Sequence, residues 1–218
     1  MLIIFDWDGT LCDSAARIVA CMQQAASSSG EQVLDAEQIR DVIGLGLPES
    51  MLRLYPDISD LQREALKQEY IRHFLAADKI PSPLFAGVNE ALVELKAAGY
   101  RLAVATGKSR RGLDRVLDYY GFNDLFVASR CANETRSKPA PLMLTQILEV
   151  CHAAPHQALM VGDTEYDMAM AQTLNMPRIA VSYGVHSQQR LATYEPLTCV
   201  DHIPQLVAWI QRHHPLSM

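Results

Sequence analysis

The chain has 218 residues, 49% of them hydrophobic and 20% charged, enough to bury a sizeable core and too apolar for a disordered or fibrous class. Its 19 basic and 25 acidic side chains give a net charge of −6 with no basic run, which argues against nucleic acid or an anionic membrane as the main partner and favours a small molecule. The five cysteines, Cys12, Cys21, Cys131, Cys151 and Cys199, are odd in number, scattered and never spaced Cys-x-x-Cys, so neither a disulfide framework nor a zinc site is indicated.

Leu2 to Phe5 is apolar, β-branched in its middle and halted by Asp6, the pattern of a short buried strand. No basic lead precedes it and acid interrupts it far short of a signal h-region or membrane span, so a soluble, cytoplasmic protein is expected. From Ser14 to Pro83 the pattern is helical only. Helices are predicted over 14–29, 37–43, 48–54 and 59–77, the last with Leu61, Ala65, Leu66, Tyr70, Ile71, Phe74 and Leu75 along one face. Pro81 and Pro83 mark the return, and a helix over 88–98 follows. Strands over 102–105, 125–128, 158–161 and 178–181 then alternate with helices over 109–120, 141–151 and 166–174. Such alternation implies parallel strands joined by right-handed crossovers. The predicted fold is an α/β, Rossmann-like three-layer core with a parallel sheet, built from 1–13 and 84–218, carrying an inserted all-helical domain over 14–83.

Functional groups in open α/β sheets collect beyond the carboxyl ends of the strands. Here those positions hold Asp6, Asp8, Gly9 and Thr10 after the first strand and Thr106, Gly107 and Lys108 after the second. Ser137, Lys138 and Pro139 precede a later helix, and Gly162, Asp163, Thr164 and Asp167 follow the 158–161 strand. In that order, "DWDGTLCDS", "VATGKS", "SKPAP" and "VGDTEYDM" closely resemble the four motifs of the haloacid dehalogenase superfamily, in the branch whose helical cap lies between motifs one and two. The resemblance covers nearly the whole chain. It implies a phosphoglycolate phosphatase-like enzyme with Mg²⁺ held by Asp6, Asp163, Asp167 and the Asp8 backbone carbonyl.

The residues support the same chemistry physically. Asp6, fixed at the sheet edge, can attack phosphorus as a nucleophile and form an aspartyl phosphate. The extended backbone returns Asp8 to the same side and turns Trp7 away, so Asp8 can protonate the leaving alkoxide and later deprotonate water. A carboxylate approaching a phosphate dianion meets like-charge repulsion, which a hard divalent cation relieves. Lys138 and Thr106 would hold phosphoryl oxygens, joined by the Gly107 amide and Lys108; Pro139, suited to a first helical turn, would set Lys138 just outside a helix N-terminus. Lys108, Arg110 and Arg111 at the start of one helix suggest an electropositive approach, although such clusters are more often plain surface.

In the insert, "IGLGLPES" is a turn between short helices or a substrate-facing loop, with Leu45, Leu47 and Glu49 as specificity candidates. The seven histidines share no ligand spacing, and His213 and His214 fall in a tail expected to fray. Two positions depart from common family forms: "SPLFAGV" lacks an aromatic-proline-glycine pattern, and "TGK" stands where Thr-Asn-Lys is frequent. The expected function is Mg²⁺-dependent hydrolysis of a small phosphomonoester, phosphoglycolate-like or a sugar phosphate, by a monomer or small homo-oligomer. Alternatives are a phosphomutase or pyrophosphatase on the same scaffold, or a non-catalytic phosphate-binding module. Dehalogenation is disfavoured, since it has no leaving alkoxide for Asp8 to protonate.

Overall fold

The computed structural model describes residues 1–215. Strand β1 (Leu2–Phe5) leads into four helices, α1 (Ala15–Ser29), α2 (Ala36–Arg40), α3 (Leu47–Leu54) and α4 (Asp60–Ala77). The chain then alternates through α5 (Val88–Ala97), β2 (Arg101–Thr106), α6 (Arg110–Tyr120), β3 (Ala128–Cys131) and α7 (Leu142–Val150). It closes with β4 (Ala158–Gly162), α8 (Glu165–Thr173), β5 (Arg178–Val181), α9 (Gln188–Ala192), β6 (Cys199–Val200) and α10 (Ile203–His213). All strands pair in parallel, in the order β3-β2-β1-β4-β5-β6.

Successive strand residues face opposite sides of a sheet, and β1 and β2 divide their side chains accordingly. Ile3, Phe5, Leu102 and Val104 pack with Val88 and Leu92 of α5, Leu113 of α6 and Ile210 of α10. Leu2, Ile4, Ala103 and Ala105 pack with Met143 and Ile147 of α7 and Met170 of α8. Burial on both faces is what permits uninterrupted apolar strands, and the result is the expected three-layer α/β fold. The four helices between β1 and α5 have a core of their own, where Met22, Ala26, Ile39, Met51 and Leu66 meet. Helices α2 and α4 each begin with a capping box, Asp35 with Gln38 and Ser59 with Gln62, in which side chains satisfy otherwise unpaired backbone amides. Among the described residues no helix is long and apolar enough to cross a membrane.

Four expectations require correction. The third strand is Ala128–Cys131, not 125–128. Leu125 instead belongs to a turn that follows α6, its amide donating to the Phe122 carbonyl at 3.0 Å. The true strand lies at the sheet edge, where one flank is less covered, so "ASRC" needs no apolar run. Helix α7 starts at Leu142, so Lys138 is held by tertiary contacts rather than beside a helix N-terminus. On α4 only Leu66 is buried, and Leu61 is 82% exposed. The C-terminal segment adds α9, β6 and α10; His213 ends α10 and stacks on Trp209 at 4.2 Å, while Tyr100 donates from its hydroxyl to the His214 carbonyl at 2.8 Å.

Candidate active site

From β1 the chain builds outward through β2 and β3 on one side and through β4, β5 and β6 on the other. The order reverses between β1 and β4, and a crevice opens at their carboxyl ends. Asp6 stands at the end of β1, its amide donating to the Val161 carbonyl of β4 at 3.0 Å. Asp163 follows β4, and Asp167 lies in the first turn of α8. These three buried residues each offer a carboxylate oxygen, all within 4.8 Å of one another. Buried Lys138 joins them, its Nζ 2.7 Å from Asp6 Oδ1 and 2.7 Å from Asp167 Oδ1.

The partners differ in a way that singles out Asp6. Asp163 Oδ1 accepts from the Thr10 hydroxyl at 2.8 Å and Oδ2 from the Val185 amide at 2.9 Å. Asp167 Oδ1 accepts from Lys138, and Oδ2 accepts from the Thr164 amide and hydroxyl at 3.2 and 2.7 Å. Among the described residues neither oxygen of Asp6 receives an aligned hydrogen bond, although Oδ1 is ion-paired with the Lys138 ammonium. Buried polar atoms are ordinarily paired, so Asp6 Oδ2 is poised for a partner the protein itself does not supply.

Three carboxylates face one ammonium in a buried crevice, and the electrostatics follow. Burial raises the Asp6 carboxyl well above its ordinary range; Lys138 pulls it back, and Asp167 and Asp163 push it up again. Burial and the neighbouring Asp167 push Asp163 up to about 7. Burial pulls the Lys138 ammonium down, but Asp167 and Asp6 outweigh this and leave it raised. The donor set of hard oxygens, the negative excess and the Asp6 Oδ2, which has no partner among the described residues, all fit a divalent cation such as Mg²⁺. Gly9 makes the cluster possible: at φ +85°, a β-carbon there would stand 2.1 Å from Asp163 Oδ2.

Asp8 is brought to the crevice but not into the carboxylate cluster. Its Oδ1 accepts from the Ser14 hydroxyl at 2.6 Å and meets Lys108 Nζ at 2.9 Å. Lys108, expected to face phosphate, thus turns to Asp8 and lies 5.4 Å from the centre of the Phe74 ring. Thr106 is buried at the end of β2, its hydroxyl oxygen accepting from the Lys108 amide at 3.2 Å. The cationic approach is only partly realised: Arg110 is clasped by both carboxylate oxygens of Glu134, while Arg111 remains exposed.

The helical insert closes over this edge. The Gly46 amide donates to the Ser137 hydroxyl at 2.7 Å, and Tyr166 donates to the Asp41 carbonyl at 2.5 Å. Arg190 bridges Asp41 of the insert and Glu165 of α8. Gly107 lies directly beneath the insert loop, where a β-carbon would come within 2.5 Å of the Leu45 carbonyl oxygen and 2.7 Å of that of Gly44. Backbone cannot give way as a flexible side chain can. The glycine in "TGK" therefore lets the insert loop settle on the second motif, a consequence absent from the sequence reading. Gly107→Ala is expected to loosen this contact and expose the insert to protease, at a cost to global stability of about 1–3 kcal/mol. Limited proteolysis of the insert alongside urea unfolding would separate the two effects.

Between insert and core lies a cavity of about 370 Å³ whose lining includes Asp8, Gly107 and Lys108 together with Leu45 and Leu47. Glu49 lies outside it, in a shallower depression beside Lys138. Sequence reasoning missed Val185, whose amide holds Asp163, and Gly184, where a β-carbon would stand 2.2 Å from that of Asp163. Their signal was present: "SYGV" follows β5, another strand end at the same edge. It also missed Ser14, which lies immediately before α1 and bonds to Asp8.

Known proteins resemble this chain along nearly its whole length. The chain is 29% identical over 225 residues to phosphoglycolate phosphatase of Psychrobacter arcticus, covering 99% of this chain and 98% of that one. It is 29% identical over 217 residues to phosphoglycolate phosphatase of Vibrio cholerae, covering 94% and 95%. A solved haloacid dehalogenase-like hydrolase from Streptococcus pneumoniae superimposes with a TM-score of 0.84 at 26% identity, covering 96% of this chain and 98% of that one. With a family model for haloacid dehalogenase-like hydrolases matching residues 3–181, from β1 through the acidic cluster to the end of β5, the chain belongs to that hydrolase family.

Proposed function

We propose that the protein is a Mg²⁺-dependent phosphatase that hydrolyses a small phosphomonoester through an aspartyl phosphate on Asp6. The observation that carries this reading is the Asp6 carboxylate, buried at the sheet's switch point and unsupported by any aligned hydrogen bond. In the first step an Asp6 oxygen forms a bond to phosphorus as the ester P–O bond breaks, and Asp8 gives its proton to the departing alkoxide. In the second, Asp8 takes a proton from water, whose oxygen attacks phosphorus and releases phosphate and the free Asp6 carboxylate. Ser14 and Lys108 both engage Asp8 Oδ1, which orients the group and leaves Oδ2 for proton transfer. Lys138 fixes Asp6 and Asp167 and balances charge as the phosphate enters. Mg²⁺, held by Asp6, Asp163, Asp167 and, by the family resemblance, the Asp8 carbonyl, would supply Lewis-acid neutralisation of charge on the phosphoryl group.

Residues 14–83 are proposed to act as the cap that closes over this chemistry and controls water; the Gly46–Ser137 and Tyr166–Asp41 contacts support that role. A mutase or pyrophosphatase would need a second phosphate on the Asp8 side. Among the described residues, the cations lining the cavity there are Lys108, already paired with Asp8, Arg111 at its rim and Arg115, bound to Asp78. Hydrolysis of a monoester is therefore the reading the geometry favours. It is tested with p-nitrophenyl phosphate: phosphate release should require divalent metal and vanish in chelator.

The same cluster dictates a pH effect. Without metal, folding raises the Asp163 carboxyl from an ordinary value near 3.8 to about 7, and Asp6 shifts in the same direction. Between those values the folded protein binds more protons at this cluster than the unfolded chain does, so the cluster's contribution to stability is fullest below pH 4 and is lost as pH rises through 7. A bound divalent cation displaces those protons. Thermal unfolding in chelator and in excess Mg²⁺ should show a stabilisation by metal that grows between pH 5 and 8; a pH-independent increment would contradict the assignment.

A further inference from the structure

The position of the cavity relative to Asp8 bears on which alcohol carries the phosphate. Under the proposed mechanism Asp8 delivers its proton to the leaving oxygen, so the alcohol must lie on the Asp8 side of the phosphorus. Asp8 is one wall of the 370 Å³ cavity, while Asp6, Lys138, Asp163 and Asp167 do not line it. Its other walls are mainly apolar and come from the insert, among them Ile39, Val42, Leu47, Tyr70, Phe74 and Leu75. Tyr70 and Phe74 present their rings 5.7 Å apart. The face of α4 that contributes little to the insert's own core is thus the face turned to this space.

Resting on that mechanism, we infer that the natural substrate is the phosphate monoester of an uncharged, predominantly apolar alcohol, larger than glycolate, seated against Ile39, Val42, Tyr70 and Phe74. A two-carbon glycolate would leave most of a space large enough for about a dozen waters at roughly 30 Å³ each. Its carboxylate would also meet mainly apolar walls, with Lys108 and Arg115 already matched by Asp8 and Asp78 and Arg111 set at the rim, and a charge without a close partner is poorly tolerated there. An aliphatic or aromatic group displaces that water and buries its own surface. The Tyr70 hydroxyl, which makes no hydrogen bond to protein among the described residues, can donate to one polar atom of the alcohol.

The test is calorimetric binding of an alkylphosphonate series, methyl to hexyl, and of phosphonoacetate, to the full chain with Mg²⁺, run beside p-nitrophenyl phosphate turnover. Affinity should rise by roughly three- to fourfold per added methylene, about 200- to 1,000-fold across the series, with phosphonoacetate no tighter than methylphosphonate. Leu75 is partly exposed, so Leu75→Ser should preserve the fold yet flatten that slope, as should Phe74→Ser. Metal-dependent turnover with phosphonoacetate binding as tightly as hexylphosphonate would overturn the substrate class and leave the phosphatase reading intact. A rising alkyl series without turnover would do the reverse, upholding the apolar site and sinking the hydrolytic reading. Failure of every phosphonate to bind would overturn the inference.

Discussion

Replacing Asp6 with asparagine is expected to abolish phosphate release, by at least ~10⁴-fold, while leaving the protein folded. The amide matches the carboxylate in shape but cannot form the phosphoryl bond, and loss of a nucleophile removes the reaction path rather than trimming it. The fold should tolerate the exchange because Lys138 keeps Asp167 as a charged partner at 2.7 Å. Asp6 also stands within the buried cluster of Asp163 and Asp167, both of which push its own carboxyl upward. In chelator, Asp6→Asn should therefore be as stable as the parent protein or more so. Loss of activity accompanied by unfolding would indicate that Asp6 serves the fold. Steady-state release of phosphate and thermal unfolding, measured on the same samples, distinguish the two.

Lys138→Met should have the largest effect on stability, about 3–5 kcal/mol in chelator, the range for removing one partner of a buried ion pair. Lys138 is fully buried against Asp6 and Asp167, and its loss leaves three carboxylates together without a cation. Those groups would respond by binding protons, so the loss should be largest at pH 8 and shrink toward pH 5. Activity should fall by on the order of 10³-fold, the scale for removing a preorganised electrostatic partner. Urea midpoints at both pH values check the prediction, provided the slope of the transition is unchanged. Adding Asp6→Asn to Lys138→Met should recover part of the stability, because the two side chains share one interaction. Strict additivity would mean that the contact across 2.7 Å carries no energy.

The carboxylates and Lys138 were legible because the signals that place them are local. An apolar run ending in Asp-x-Asp-Gly defines the end of β1, and Thr164 with Asp167 forms a capping box three residues apart. The parallel sheet then brings distant strand ends to one edge, so short segments determine a long-range constellation. Other features depend on packing that no local window contains. Asp8 turns to Ser14 and Lys108, a choice of side-chain orientation made by the insert's first helix and by the second motif. The apolar stripe of α4 reads like core, yet Ile71, Phe74 and Leu75 line a cavity and Leu61 faces solvent. Gly107 looks like a neutral departure until the Leu45 carbonyl is seen 2.5 Å from where its β-carbon would be. The strand at Ala128–Cys131 was displaced by three residues because its apolar prelude, Leu125 to Val127, carries the stronger hydrophobic signal.

The central claim is that phosphate passes through a covalent bond to Asp6, and chemical trapping addresses it directly. Protein turning over p-nitrophenyl phosphate with Mg²⁺ would be quenched in acid, reduced with borohydride and digested with trypsin, which yields the peptide spanning residues 1–17. An acyl phosphate is reduced to an alcohol, so the account predicts homoserine at position 6, dependent on substrate and metal and absent from Asp6→Asn. Full turnover with no reduced residue, or with reduction at Asp8 or Asp163 instead, would contradict it.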